Sequence, residues 1–171
     1  MDLNLRGKRA FISGSTSGIG FATAKMLLTE GVEVYVNGRS SENVIKAVND
    51  LQTQVDGAKV FGLVADFNNP QEVEALFTQL SGVDILINNA GSNIRKRPEE
   101  LSLNDFRWVQ DTNLTSAFVF SQAVYPKFKT IGKGKIINIG SMYSIFGGAV
   151  ATAYSVSKGG LIQMTKSMAA A

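Results

Sequence analysis

Tyr154 and Lys158 stand four residues apart in the segment Tyr-Ser-Val-Ser-Lys, a spacing that places both side chains on one face of a helix. A free tyrosine hydroxyl titrates at about pH 10 and is a poor acid–base group at neutral pH. A lysine ammonium held nearby favours the phenolate and lowers the tyrosine pKa. The pair could therefore exchange a proton with a substrate. Helix surfaces also carry such pairs by chance, so the motif alone is a weak signal.

The composition restricts the chemistry further, because the 171-residue chain contains no histidine and no cysteine. Their absence excludes Ser-His and Cys-His mechanisms, disulfides and the usual zinc sites, and we expect no metal site. A net charge of +3 is too small to indicate nucleic acid as a partner. The sequence shows neither a signal peptide nor a membrane-spanning apolar run. We therefore expect a cytoplasmic globular protein that binds neither nucleic acid nor a membrane.

A glycine-rich segment follows the first apolar run of the chain and reads Gly14-Ser15-Thr16-Ser17-Gly18-Ile19-Gly20. Glycine lets a backbone turn tightly and approach a ligand, and the N-terminus of the next helix offers free N–H groups to a pyrophosphate. The three hydroxyls add further donors. The spacing is not the G-x-G-x-x-G of the commonest dinucleotide fold, and a P-loop lysine is missing. A plain glycine-rich turn is the alternative, which the position after a first strand disfavours.

The second apolar run ends at Arg39, where many dinucleotide folds carry an acid for the ribose 2′-hydroxyl. A carboxylate would repel a 2′-phosphate, whereas the planar guanidinium would attract it. The residue therefore favours NADP(H) as the cofactor, with NAD(H) possible. The alternative is a solvated loop charge.

The elements that would position these residues follow from the hydrophobic pattern. Apolar runs without alternation predict buried parallel strands, and the amphipathic segments between them predict crossover helices. Polar residues close the third, fourth and fifth runs, at Asp66, at Asn88 to Gly91 and at Ser141. Because the carboxyl ends of such strands line the ligand crevice, we expect these residues at one edge of a single domain spanning residues 1–171. The predicted strands are 9–13, 32–36, 59–65, 83–88 and 135–139, and the predicted helices are 19–30, 43–55, 70–80, 103–129 and 151–171.

Together these motifs resemble the short-chain dehydrogenase/reductase family. The glycine segment, Asn88-Asn89-Ala90-Gly91, Asn113, Ser141 and Tyr154-x-x-x-Lys158 occur in family order and spacing, and the match runs from about Leu5 to Ala169. The resemblance implies a Rossmann-like α/β fold, a doubly wound parallel sheet with strand order 3-2-1-4-5. It also implies hydride transfer between a nicotinamide cofactor and a carbonyl or secondary alcohol.

The resemblance also implies a role for each matching residue. Tyr154 would be the acid in reduction and the base in oxidation, while Lys158 would lower the tyrosine pKa and hold the nicotinamide ribose. Ser141 would hydrogen-bond the substrate oxygen, and Asn113 would hold a water in a proton relay to Lys158. The implied cofactor-binding residues are Gly14, Ser15, Thr16, Ser17, Gly18, Ile19, Gly20, Arg39, Asp66, Phe67, Asn89, Ala90, Gly91, Tyr154 and Lys158. Phe67 departs from the family, which usually has a branched aliphatic residue there.

The length departs from the family as well, because members continue past the Tyr-Lys helix into further strands and a substrate lid. We expect a C-terminally incomplete piece of a longer enzyme, the alternative being a naturally short member. A 3-oxoacyl-thioester reductase, like the 3-oxoacyl-[acyl-carrier-protein] reductases, is the narrower prediction, and a sugar or polyol dehydrogenase is its alternative. A non-catalytic nucleotide-binding or oligomerising module is the alternative from another class. We expect a homodimer or homotetramer, with Trp108 in the core or at the subunit interface.

Overall fold

The computed structural model describes residues 3–80 and 82–171. Within them, strands and helices alternate as the hydrophobic pattern predicts. The strands are β1 (Arg9–Ile12), β2 (Glu33–Gly38), β3 (Val60–Val64), β4 (Ile85–Asn88) and β5 (Lys135–Asn138). The α-helices are α1 (Gly18–Thr29), α2 (Ser41–Gln54), α3 (Pro70–Gln79), α4 (Leu103–Gln110), α5 (Ser116–Ile131) and α6 (Thr152–Ala169).

The strands form one parallel sheet in the order β3-β2-β1-β4-β5, which confirms the predicted topology. Ala10 of β1 pairs with Val34 on one side and with Ile85 on the other. The strand order reverses between β1 and β4, and the helices α1 and α5, which come after these two strands, pack on opposite faces of the sheet. Ligand crevices of open α/β sheets lie at such a switch point.

A separate hydrophobic layer covers each face of the sheet. Successive side chains of β1 alternate between the layers, because a strand has a period of two. Ala10 and Ile12 join the layer that contains α1 and α2. Phe11 joins the layer of α3 and α5, where its ring meets that of Phe120 edge-on at 5.2 Å. The central strands are therefore buried on both sides, as their uninterrupted apolar runs predict, whereas the edge strands β3 and β5 are partly exposed.

The predicted helical region at 103–129 is present, but it is not uniformly α-helical. The segment is α4, then a π-helical turn at Asp111–Thr115, then α5. The turn carries Asn113, and π-helical turns are frequent at functional sites. Short 3₁₀ turns at Pro98–Glu100 and Met142–Ser144 lie in the loops after β4 and β5.

The remaining boundaries differ by a few residues at most. α2 begins before the predicted residue 43, because Ser40 caps it and accepts a hydrogen bond from the Asn43 backbone N–H at 3.4 Å. In the part of the chain that the structure describes, none of the helices combines the length and the apolar character needed to cross a bilayer.

Candidate active site

A cleft of about 460 Å³ opens at the carboxyl ends of the strands, where the strand order reverses. The glycine-rich loop after β1 forms one wall, and the loop after β4 forms another. α6 contributes Tyr154 and Lys158 to the lining. The lining residues are Gly14, Thr16, Ser17, Ile19, Asn37, Gly38, Arg39, Ala65, Asp66, Phe67, Asn89, Ala90, Gly91, Ser92, Trp108, Thr112, Ile139, Gly140, Tyr154 and Lys158.

The loops after β1 and β4 are locked together by Ser13 and Asn89. The Ser13 hydroxyl accepts hydrogen bonds from the backbone N–H groups of Asn89 and Ala90, at 3.0 and 2.9 Å. The Asn89 side chain in turn donates to the carbonyls of Ser13 and Gly14, at 3.0 and 2.8 Å. Gly14 has a φ of +60°, and a Cβ added there would lie 2.9 Å from the Ala90 Cα. Both the conformation and the contact therefore require glycine.

Three predicted cofactor residues shape this loop without lining the cleft. Ser15 is buried, and its hydroxyl donates to the Ile12 carbonyl at 2.6 Å and accepts from the Asn37 N–H at 2.9 Å. Its predicted role as a hydroxyl donor to a ligand does not fit this arrangement. Gly18 has a φ of +57°, and a Cβ at Gly20 would lie 2.5 Å from the Asn89 side-chain nitrogen. Gly14, Thr16, Ser17 and Ile19 of the same segment do line the cleft.

Tyr154 and Lys158 lie together on α6, with the Lys158 Nζ 5.9 Å from the centre of the Tyr154 ring. Lys158 is only 2% exposed, and its Nζ donates to the carbonyl of Ile139 after β5 at 2.7 Å. Burial penalises the charged form and lowers the Lys158 pKa from 10.5 to about 8. Tyr143 meets the Tyr154 ring edge-on, with the ring centres 5.9 Å apart.

Asn113 is buried behind the cleft in the π-helical turn. Its side chain accepts from the Ser92 N–H at 2.8 Å, and it donates to the Ser92 carbonyl at 2.9 Å and to the Ser157 hydroxyl at 3.0 Å. The amide thus ties the loop after β4 to α6. A Cβ added at Gly91 would lie 3.4 Å from the Lys158 Nζ and 3.7 Å from the Asn113 Oδ1, so the two side chains approach each other at Gly91.

Ser141 follows β5 and begins the 3₁₀ turn at Met142–Ser144. Its hydroxyl oxygen accepts from the Tyr143 N–H at 3.2 Å. The neighbouring Gly140 lines the cleft, whereas Ser141 does not. The four predicted catalytic residues are therefore grouped at one end of the cleft, with Tyr154 and Lys158 on its wall and Asn113 and Ser141 beside it.

Sequence reasoning missed several lining residues. Most of them stand at carboxyl ends of strands, so the crevice rule could have found them; they are Asn37, Gly38, Ala65, Ser92, Ile139 and Gly140. Thr112 and Trp108 lie on the helical segment after the loop, where the sequence carries no comparable signal. Trp108 is half-buried in the cleft wall, which corrects its prediction as a core residue, while a place at a subunit interface stays a prediction.

Comparison with known proteins gives a consistent result. The sequence profile of the family described as short chain dehydrogenase matches residues 8–171. The chain is 36% identical over 170 residues to the 2-dehydro-3-deoxy-D-gluconate 5-dehydrogenase of Formosa agariphila, covering 97% of this chain and 64% of that one. It is 37% identical over 174 residues to the 3-oxoacyl-[acyl-carrier-protein] reductase FabG of Vibrio cholerae, covering 98% of this chain and 68% of that one.

Among solved structures, the L-sorbose reductase of Gluconobacter frateurii in complex with NADPH and L-sorbose has a similar fold. The TM-score is 0.93 at 27% identity, and the match covers 99% of this chain and 66% of that one. The chain thus spans about two thirds of the length of these proteins.

Proposed function

The chain belongs to the short chain dehydrogenase family, and on that basis we propose that the protein transfers a hydride between NADP(H) and a carbonyl or secondary alcohol. The observation that carries the proposal is the arrangement of a single cleft. A glycine cradle at a helix N-terminus lies along its wall, and the Tyr154–Lys158 pair lies at one end. A nucleotide site and an acid–base pair within one cleft are what hydride transfer with proton exchange requires.

The residues of the cleft fit a nicotinamide dinucleotide. Thr16, Ser17 and the N-terminus of α1 offer donors and a partial positive charge to the pyrophosphate. Arg39 offers a guanidinium to a 2′-phosphate, while Asp66 and Phe67 border the adenine end of the cleft. Lys158 would hold the nicotinamide ribose hydroxyls. The bound cofactor would supply or accept the hydride, which the side chains of the protein cannot do.

The protein's own residues would move the proton. In reduction, the Tyr154 hydroxyl donates its proton to the substrate oxygen while the carbonyl carbon gains the hydride; in oxidation, the phenolate takes the proton back. The Lys158 ammonium, 5.9 Å from the ring centre, stabilises the phenolate by its charge. Ser141 would orient the substrate oxygen, and Asn113 would hold the loop after β4 and a relay water beside Lys158.

Two substrate classes follow from the relatives. The V. cholerae relative supports a 3-oxoacyl thioester, and the F. agariphila and G. frateurii proteins support a sugar or sugar acid. Lys96 forms a backbone bridge with Ala151, three residues before Tyr154, and the exposed Arg95 and Arg97 flank it. Lys96 pairs with Asp105, but the exposed Arg95 and Arg97 near the proposed proton donor suit an anionic substrate, which an acidic carrier protein and a sugar acid both provide.

We further propose one dinucleotide-binding domain that works as a homodimer or homotetramer in the cytoplasm. Phe118 on α5 and Val156 on α6 are 45% and 49% exposed, which supports an interface on these two helices. Light scattering of the purified protein would measure the oligomeric state, and a monomer at micromolar concentration would contradict this part of the proposal.

The activity is tested by following NADPH oxidation with 3-oxoacyl thioesters, 5-keto sugar acids and L-sorbose as substrates. We expect turnover by the wild type and a loss of at least about 100-fold in Tyr154→Phe, because the proton donor is removed. The affinity for NADPH should stay unchanged. Tyr143→Phe is the matched control, since its ring contacts that of Tyr154, and it should retain turnover.

Full turnover by Tyr154→Phe would show that another group donates the proton. A wild type that binds NADPH but reduces none of these carbonyl compounds would favour the alternative, a non-catalytic nucleotide-binding module.

A further inference from the structure

Trp108 is the only tryptophan of the chain, and it lies on α4 in the same cleft wall as Arg39. Arg39 follows β2, so two distant parts of the sequence meet in this wall. The guanidinium carbon of Arg39 lies 5.9 Å from the centre of the indole ring. This distance is within the range of a cation–π contact.

Arg39 is exposed, and it makes no hydrogen bond and no ion pair with the residues that the structure describes. A guanidinium packed on an aromatic face keeps its N–H donors, which lie in the plane of the group, available for an anion. The contact with Trp108 therefore restricts the arginine while leaving its donors free.

The helix that carries Trp108 is fixed at both ends. Ser102 caps α4 by accepting from the Asp105 N–H at 3.1 Å, and Asp105 pairs with Lys96 at 2.8 Å. At the other end, the Gln110 side chain donates to the Ala153 carbonyl of α6 at 2.8 Å. The indole is thus attached to a fixed element, whereas Arg39 lies in a loop.

We propose that Trp108 is a positioning residue that holds the Arg39 guanidinium at the 2′-phosphate of NADP(H), so that the choice between NADP(H) and NAD(H) depends on the pair. The proposal rests on the proposed function only through the assumption that the cleft binds a nicotinamide dinucleotide. Trp108 acts through Arg39, and the adenine and ribose moieties common to both cofactors are bound by other residues.

The test measures the affinities of NADP⁺ and NAD⁺ by calorimetry for the wild type, Trp108→Leu, Trp108→Phe, Arg39→Ala and the double variant Arg39→Ala/Trp108→Leu. We expect Trp108→Leu to weaken NADP⁺ binding by about three- to tenfold and to leave NAD⁺ binding unchanged. Trp108→Phe retains an aromatic face and should recover most of the loss. In the Arg39→Ala background, Trp108→Leu should have no further effect. Arg107→Ala, which removes an exposed cation of the same helix, is the control and should change neither affinity.

The single tryptophan gives a second readout that is independent of activity. Adenosine 2′,5′-bisphosphate should change the indole fluorescence of the wild type at lower concentrations than ADP, which lacks the 2′-phosphate. Arg39→Ala should abolish this difference.

Three results would overturn the inference. If Trp108→Leu weakened the binding of NADP⁺ and NAD⁺ equally, Trp108 would be a general part of the cleft wall. If Trp108→Leu weakened NADP⁺ binding as much in the Arg39→Ala background as in the wild type, Trp108 would act without the arginine. If Trp108→Leu fails to fold, the fluorescence decides, and a wild-type indole signal that responds equally to adenosine 2′,5′-bisphosphate and ADP would do the same. A wild type that binds neither dinucleotide would overturn the cofactor proposal as well, so the two failures differ.

Discussion

Lys158 combines deep burial with a position in the wall of the cleft. Its ammonium is 2% exposed, and the Ile139 carbonyl accepts one of its three N–H groups at 2.7 Å. Burial lowers its pKa to about 8, so the side chain is still mainly charged at pH 7. That charge is what would stabilise a Tyr154 phenolate and bind ribose hydroxyls. The residue thus retains its charge at neutral pH at a cost in folding free energy.

This cost predicts a pH-dependent stability. The folded-state pKa of about 8 lies below the ordinary value of 10.5, so the unfolded chain binds more protons between these two values. The free energy of unfolding of the wild type, relative to Lys158→Met, should therefore rise as the pH increases from 8 towards 10.5. The pKa difference corresponds to about 3 kcal/mol over the whole interval. Urea denaturation of both proteins at several pH values measures it.

Lys166→Met provides the control for this measurement, because Lys166 is exposed on the same helix. Its substitution should leave the pH dependence of stability as it is in the wild type. A difference between wild type and Lys158→Met that stays constant between pH 7 and 10 would contradict the burial of a charged Lys158.

At the scale of elements, the site depends on the close approach of the loops after β1 and β4. Gly14 is the point of contact, and Gly57, in the turn before β3, has a similar backbone. Their φ values are +60° and +67°, yet a Cβ would meet Ala90 at 2.9 Å in the first case and nothing within 4 Å in the second. A comparison of the two glycines therefore distinguishes the effect of backbone strain from the effect of the contact between the loops.

Gly14→Ala should therefore destabilise the protein more than Gly57→Ala does. In both variants an alanine must adopt a left-handed conformation, which lowers the free energy of unfolding by about 1 kcal/mol. Only Gly14→Ala adds overpacking, which lowers it by about 1–3 kcal/mol more. Gly14→Ala should also weaken NADP⁺ binding, since the loop must move away from Ala90. Thermal unfolding and calorimetry measure the two effects, and equal destabilisation by both variants would show that the loops are free to separate.

The elements also show which parts of the fold could be predicted. The strands were predictable because each is a short apolar run, and their polar carboxyl ends marked Arg39, Asp66 and Asn89 as cleft residues. The π-helical turn was not, because Asn113 takes that conformation through its tertiary hydrogen bonds to Ser92 and Ser157. Trp108 was misplaced for a related reason: an aromatic residue on an amphipathic helix indicates burial but not which cavity it faces.

At the scale of the whole molecule, the cleft and the surface around the start of α6 differ in how completely they are enclosed. The described residues line the proposed nucleotide site, from the glycine loop to Arg39 and Trp108. Around the start of α6 the surface is open and apolar, with Met142, Ile145 and Phe146 exposed by 69%, 79% and 59%. The described residues therefore supply the contacts proposed for the nucleotide, whereas they supply fewer for the substrate.

This difference predicts that dinucleotides stabilise the whole fold. A ligand that binds only the folded state, at 100 times its dissociation constant, adds about 2.7 kcal/mol to the free energy of unfolding. For a chain of this length that corresponds to a rise of about 5–10 °C in the melting midpoint. NADPH should raise the midpoint more than NADH at equal concentration, because only NADPH offers a 2′-phosphate to Arg39.

In Arg39→Ala the two shifts of the melting midpoint should become equal, while Lys46→Ala, which removes an exposed cation of α2, should preserve the difference. Equal shifts in the wild type would mean that Arg39 does not select the cofactor, and the absence of any shift would mean that the glycine cradle does not bind a dinucleotide.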